Sequence, residues 1–463
     1  MHRYGPRYSA ITPRDQGAAP SAATRGLRHH RVTAAAVASV VTLALSAGVL
    51  GPAASAQART ADGSSSTVSL TLSMQNANVQ QQDPATYDIV QAFMQKYPNV
   101  KITIQGQVVA THEQDMEIAA QTHTLPDIFW VYNSLAAPMS KDGDLLNLTP
   151  ILTSLGITSD FPSNMLSGYQ EGGIQYGLPY QSLVTGFYYN KAILAKYHLA
   201  LPTTFAQLVN VVQVLHKAGV ATIEQGANQS SFSVWAFLTM LDRFGYQSMY
   251  PSILAGKASF DNPHFLALFD DIQTLAKDGA FNSNMTTETY VQAAQSFIAG
   301  DAAMFDSGVW QASQIQASSI GSEVGFWPGP TFPNGVGDQH ILMNAPSAPL
   351  VVSAADKSNP ARYNAIKEFI GFYYGSAGQQ ILVNNLQTPV TKYRPTGAAV
   401  KKPVFAAVLN EIRTPGWTSP QAQPDLVVSS ATANAMYNSI YGVMEGVYSP
   451  AQALKAIQQS LKS

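Results

Sequence analysis

From Thr67 to Tyr132 the hydrophobic pattern switches repeatedly between two periods, and that alternation limits the fold more than any other feature. TVSLTLSM (67–74) alternates apolar and polar residues, the period of a half-buried strand. DPATYDIVQAFMQKYPNV follows, with Asp83 placed as N-cap and Pro84 at the first helical position, which predicts a helix. Val100–Val108 is a second strand, and another helix leads to LPDIFWVY, a short buried strand behind Pro126. Strand, helix, strand, helix, strand predicts an α/β layer with a largely parallel sheet.

The alternation resumes beyond residue 200. Thr204 and Gln207, three apart, have the spacing of a capping box. Phe205, Leu208, Val211, Val212 and Leu215 then form one apolar face, and Gly219 stops the helix. Further helices are predicted over His264–Lys277, Tyr290–Ala299, Arg362–Tyr374 and Ser449–Leu461. No fixed-period repeat emerges, which excludes a solenoid. Two α/β lobes are the simplest account.

Between these stretches lies EGGIQYGLPYQSLVTGFYYNK (171–191), with aromatics and Val/Leu around Gly-Leu-Pro but no His, Cys or Asp. It reads as extended chain crossing a boundary, with Pro179 confined to an edge or bend.

The N-terminus stands apart. Arg25, Arg28 and Arg31 precede VTAAAVASVVTLALSAGVL, and Ala54 and Ala56 then occupy A-x-A positions. Residues 1–56 therefore read as a secretory signal cleaved after Ala56, with a retained membrane anchor as the alternative. Residues 57–66 read as a linker. Without residues 1–56, 20 Lys and Arg face 27 Asp and Glu, a balance that attracts neither nucleic acid nor anionic lipid. The chain has no Cys, which excludes disulfides, thiolate metal sites, cysteine nucleophiles and a lipid-modified N-terminal Cys.

Catalytic signatures are missing. The nine His are scattered without ligand spacing, and there is no GxSxG elbow, Walker loop or GxGxxG after a strand. Neither a metal nor a cofactor is expected. Glycosidases need two carboxylates in one cleft, but no carboxylate sits in a motif that singles it out. Asp127 and Asp306 read as groups that cap or hydrogen-bond a ligand rather than transfer a proton. Aromatics are more informative: Trp130, Tyr132, Tyr180, Phe232, Trp235, Trp310 and Trp327 fall near strand ends or in loops, where α/β folds place ligands. Beside Asn and Gln they suit a pyranose, which has an apolar face for stacking and a rim of hydroxyls for hydrogen bonds.

The motifs resemble an established family. LPDIFWVYNSLAAPMSKDGDLLNLTPIL, IQYGLPYQSLVTGFYYNKAIL, LPTTFAQLVNVVQVLHKAGV and AAQSFIAGDAAMFDSGVWQ occur in order. Together with ARYNAIKEFIGFYYGSAGQQ and SPAQALKAIQQSL, they are similar to segments of extracellular solute-binding proteins of carbohydrate ABC importers, the group that includes maltose-binding protein. The resemblance runs over most of residues 67–461.

It implies a type II-like periplasmic-binding-protein fold: two α/β lobes with a mixed sheet in each, a hinge, and ligand between them. Lobe 1 would hold residues 67–178 and 331–388, and lobe 2 residues 179–330 and 389–463. The first crossing would be Tyr176–Asn190, bent at Gly177 and Pro179, and the second Val324–Pro330. Tyr188 and Tyr189 read as strand packing.

Carried over by position, the ligand-facing residues would be Gln75, Asn76, Trp130, Tyr132, Asn133, Tyr180, Gln181, Phe232, Trp235, Trp310, Trp327, Asn344 and Trp417. Trp310, in the G-x-W position, is the strongest of them. The implied partners are a mono- or oligosaccharide and the permease subunits of an importer, with no nucleic acid, and the chain is expected to be monomeric.

The sequence departs from the family in two respects. Leu45-Ser46-Ala47-Gly48 has Gly48 where a lipobox has Cys, so the expected product is exported to the periplasm or the outer face of the cytoplasmic membrane, without a Cys anchor. Carboxylates are sparse where relatives use them to grip hydroxyls. Two rival readings remain: a secreted glycan-active enzyme, and a binder of another solute such as a polyamine.

Overall fold

The computed structural model describes residues 67–462. The expected leader (1–56) and the linker (57–66) lie outside the described residues.

Two five-stranded sheets organise these residues. The strands, in chain order, are β1 (Val68–Met74), β2 (Val100–Gly106), β3 (Ile128–Trp130), β4 (Gly177–Pro179), β5 (Ser182–Asn190), β6 (Ala221–Glu224), β7 (Ala302–Gly308), β8 (Val324–Trp327), β9 (Met343–Pro346) and β10 (Pro349–Val352).

The first sheet has the order β2-β1-β3-β10-β4. β1 pairs in parallel with β2 and β3, and β10 runs antiparallel between β3 and β4. In the second sheet β5 pairs antiparallel with β7, β8 and β9, and β6 lies parallel to β7.

Each sheet is covered by helices, and the starts of α1 and α4 below are marked by side-chain caps. In the first lobe, α1 (Pro84–Lys96) begins at Asp83, whose side chain accepts the Thr86 N–H, and buries Ile89, Val90 and Phe93. α2 (Val109–Gln121) and α3 (Asn133–Asp142) follow β2 and β3, and α3 ends at Gly143 in the left-handed region. In the second lobe, α4 (Phe205–Lys217) starts at Thr204, which accepts the Gln207 N–H. Gln207 reaches back to the N–H and hydroxyl of Thr203 instead of Thr204, so the box closes one residue early. The core of the first lobe includes Leu72, Ile89, Phe93, Leu350 and Phe369; that of the second includes Phe187, Val212, Phe237 and Phe269. Tyr188 is fully buried in the second lobe against Phe326, as the packing reading expects.

The chain first passes between the sheets at Tyr180–Gln181, joining edge strand β4 to β5. Gly177 is required there by close approach: a Cβ would stand 2.7 Å from the Pro349 Cβ on β10.

The second passage is at Ser347–Ala348, between β9 and β10, and not at Val324–Pro330. Val324–Trp327 is an edge strand of the second sheet, registered Trp327 to Phe187, and β9 also pairs with β5. Residues 331–346 thus stay with the second lobe, held also by the Thr331 N–H donating to the Thr203 carbonyl. The first lobe's second portion begins at β10. Local pattern could not place this step, because pairing to β5 is a long-range contact.

Candidate functional site

A cavity of about 350 Å³ lies between the two sheets, with walls from both lobes and a floor from the two crossings. On the first-lobe side stand Gln75 and Asn76, just past the C-terminal end of β1, and Trp130 at the end of β3. This is where parallel strands deliver loops to a ligand. Gln75 Oε1 and Asn76 Oδ1 are buried without a hydrogen-bond partner, and such atoms in a cavity wall are ready acceptors. Trp130 is held from behind: the buried His112 ring is 2.6 Å from its carbonyl oxygen through Nε2. Trp130 also meets Tyr132 edge-on, with ring centroids 4.7 Å apart.

The second-lobe wall is an aromatic panel. Trp310 lies at the end of β7, Trp235 opens α5 (Trp235–Arg243), and Tyr290 opens α7 (Tyr290–Ala299, after α6, Pro263–Lys277). Trp235 packs edge-to-face on Trp310 at 4.8 Å, on Tyr290 at 5.2 Å and on Phe232 at 5.7 Å. The Trp310 Nε1–H donates to the Tyr290 oxygen at 2.8 Å, and the Tyr290 hydroxyl is 3.1 Å from Gln311 Oε1. These rings are half-buried, so the panel is fixed at its back and open at its face.

The indole of Trp310 folds back over Gly308: a Cβ at that position would lie 2.1 Å from the ring. Gly308 is in extended backbone that any residue adopts, so close approach, not conformation, is what calls for glycine here.

At the floor, Tyr180 donates its hydroxyl to Asp83 Oδ2. Asp83 Oδ1 is the cap of α1, so one carboxylate both starts a helix and holds a crossing residue. Burial pushes the Asp83 carboxyl up, against the hydrogen bonds from Thr86 and Tyr180 that favour its charge. Gln181 Nε2 donates to Gln387 Oε1 at 3.0 Å, tying the crossing to the chain that leaves α9 (Ser376–Asn384, after α8, Pro360–Tyr373).

A second cavity, about 320 Å³, adjoins the first and shares Tyr132, Phe232 and Asp425 with it. Glu113, Asn133 and Tyr437 are among its other wall residues. Glu113 Oε1 accepts the Tyr132 N–H at 2.6 Å, and Asp425 Oδ2 accepts the Tyr437 hydroxyl at 2.6 Å. Burial raises the Glu113 carboxyl to about 7 and pushes Asp425 up as well. Among the described residues, no Lys, Arg or His lines either cavity.

The two cavities therefore gather Gln75, Asn76, Trp130, Tyr132, Asn133, Tyr180, Gln181, Phe232, Trp235 and Trp310 from the sequence-derived set. The other three stand elsewhere. Trp327 is core, packed on Phe187 at 5.5 Å. Asn344 lies on β9, where it accepts the Ser182 hydroxyl at 2.8 Å. Trp417 lies beside His340, in a segment that bridges to the chain just before β9. Trp327 and Asn344 are taken up by the pairing of β8 and β9 with β5, and Trp417 packs on the segment that leads into β9.

Asp127 and Asp306 make hydrogen bonds within the protein. Asp127 binds Thr71 and Arg362, and Asp306 accepts the Ala236 N–H at the start of α5.

Sequence reasoning missed Tyr290, Gln311, Glu113 and Asp425 as wall residues. Tyr290 was visible only as a helix start. Glu113 and Asp425 carry no local signal, because the two lobes bring them together.

Comparisons with known proteins agree with this geometry. The chain is 21% identical over 233 residues to an uncharacterised ABC-transporter extracellular-binding protein of Pyrococcus horikoshii. That match covers 49% of this chain and 53% of the relative, so the chain spans about half the relative's length. Among solved structures, a chitin oligosaccharide-binding protein superposes with a TM-score of 0.75 at 22% identity, covering 86% of this chain and 98% of the other. A protein from work on xylan utilisation by Caldanaerobius polysaccharolyticus gives 0.74 at 21%, with 85% and 99% covered. A maltose-bound protein of T. maritima gives 0.68 at 19%, with 86% and 99% covered. These likenesses show the two-lobed solute-binding fold. Residues 76–380 match the bacterial extracellular solute-binding protein family, and the chain belongs to that family.

Proposed function

We propose that this chain is the extracytoplasmic binding subunit of an ABC importer, that its cleft takes a sugar or oligosaccharide, and that it hands this ligand to permease subunits without chemical change. The observation that carries the reading is the pairing of opposite walls. Trp235, Trp310 and Tyr290 offer ring faces from one lobe, and Gln75 and Asn76 offer unpartnered acceptors from the other. An apolar ring face fringed by hydroxyls matches both walls at once. Each cavity falls in the range of small-molecule sites, about 300–1,000 Å³. Relatives of this fold include the maltose-bound and chitin oligosaccharide-binding proteins above.

The test is a thermal-shift screen against mono- and oligosaccharides. A ligand at 100 times its Kd stabilises the native state by about 2.7 kcal/mol, which a melt resolves. A stabilising sugar recovered intact after prolonged incubation supports binding without turnover, whereas hydrolysis products would move the chain to the glycan-active reading. A screen in which no sugar shifts the melt at millimolar concentration would overturn the assignment.

A further inference from the structure

We propose that the second cavity is a subsite for a cationic amine, so that the ligand is an amino sugar or amino-oligosaccharide with a free ammonium group; the sugar part of this rests on the function proposed above. Glu113, on α2 of the first lobe, and Asp425, in a turn of the second lobe before α11 (Ser430–Met444, after α10, Pro403–Arg413), line the same small volume.

Each carboxyl has one oxygen occupied from behind, Glu113 by the Tyr132 N–H and Asp425 by the Tyr437 hydroxyl. Asp425 is only 7% exposed, and its Oδ1 is buried without a hydrogen-bond partner. Gln423 and the backbone N–H groups of Asp425 and Leu426 lie close enough to help pull the Asp425 carboxyl down against its burial, but none of them hydrogen-bonds Oδ1, and the Gln423 amide is itself unpartnered. Beyond burial, the nearness of Asp425 and Glu113 raises the phenols of both Tyr132 and Tyr437, which places all four groups in one neighbourhood. The charged neighbour that raises Glu113 further is Glu117, again an acid.

This is an unbalanced arrangement. Two acids from opposite lobes line one cavity where, among the described residues, no side-chain cation does, and a carboxylate buried without a compensating charge is costly. A neutral hydroxyl can donate to one carboxylate oxygen but offsets no charge. An ammonium group supplies several donors and the missing positive charge. The rings of Tyr132, Phe232 and Tyr437 around the same volume add cation–π attraction. An anionic sugar is disfavoured for the same reason. A polyamine, the rival solute left open by the sequence, serves as a control: the cleft does hold carboxylates, but from separate lobes.

Four probes decide the matter by calorimetric titration of the full mature chain: a glucosamine trisaccharide, its N-acetylated counterpart, a neutral glucose trisaccharide and 1,4-diaminobutane. The expected result is that the free-amine trisaccharide binds at least about tenfold tighter than the acetylated one. In Glu113→Gln and Asp425→Asn that ratio should fall to within about twofold. Equal or tighter binding of the acetylated or neutral sugar, a ratio that survives both substitutions, or no binding of any amine probe would each overturn the proposal. Binding of neutral sugar without preference for amine leaves the sugar reading standing and sinks this one. Binding of diaminobutane alone, lost in both variants, does the reverse. Thermal melts check folding, and if Asp425→Asn does not fold, Glu113→Gln decides.

Discussion

Gln181 and Ser347 exchange two hydrogen bonds where the two crossings run side by side: the Ser347 N–H donates to the Gln181 carbonyl at 3.0 Å, and the Gln181 N–H donates to Ser347 Oγ at 2.9 Å. The crossings thus form one latched pair and not two independent strings. Both residues also line the cavity, so whatever moves the hinge moves the floor of the site.

Ser347→Ala tests the latch. It leaves the buried Gln181 N–H without its acceptor, which costs about 1–3 kcal/mol of stability. Chemical denaturation should show a loss of that size with the slope unchanged. A loss well below 1 kcal/mol would mean that water or another acceptor replaces the hydroxyl.

Trp310→Ala tests the panel. Removing the ring takes away one stacking face and the N–H that fixes Tyr290. The expected loss is about 2–4 kcal/mol of ligand binding, roughly 30- to 1000-fold in Kd. Because the ring is half-buried, stability should fall by less than the 3–5 kcal/mol or so typical of core tryptophans. Calorimetric titration and melts on the one variant separate the two effects; a destabilised protein with normal affinity would return Trp310 to the core.

Closure is the third test. The lobes touch across the cleft where Ser134 Oγ and Ser430 Oγ lie 2.8 Å apart and where Gln314 Nε2 reaches the Gln81 carbonyl at 3.4 Å. Exposed contacts of this kind are weak, so ligand should supply most of the closing free energy. Small-angle scattering should give a smaller radius of gyration with a ligand from the screen than without it. An unchanged radius at saturation would count against hinge motion.

Acidity should stabilise the fold. Burial raises Asp242 and Glu113 to about 7, far above ordinary carboxyls, and the folded chain therefore holds these protons more tightly than the unfolded chain. Stability is then gained as pH falls from about 7 towards the unfolded values near 4, and the penalty is fully present above 7. The melting temperature should be higher at pH 5.5 than at pH 8. Asp242→Asn, which removes one of these protons from the balance away from the cleft, should flatten the difference; a melt that rises with pH would contradict the reading.

Much of this molecule could be read from its sequence wherever the signal was local. Asp83 with Pro84 marked the start of α1, and the Tyr290–Ala299 helix has the predicted ends. Motif order pointed to the family and put Trp130, Phe232, Trp235 and Trp310 on facing walls. What failed was non-local. Trp327 looked like a crossing residue because the family resemblance put the second crossing at Val324–Pro330, yet its strand lies at the edge of the second sheet against β5. Glu113 and Asp425 are more than three hundred residues apart, and no spacing rule links them.

The pose of Trp310 depends on a methyl group that is not there. Since any β-carbon at position 308 would collide with the indole, Gly308 acts as a selector for the ring's angle. Alanine at this position would leave the backbone content and swing the chief aromatic surface out of register with Trp235. Ligand preference in the proposed site should therefore be tunable from a residue with no side chain of its own, by a change that adds one carbon and two hydrogens behind the wall.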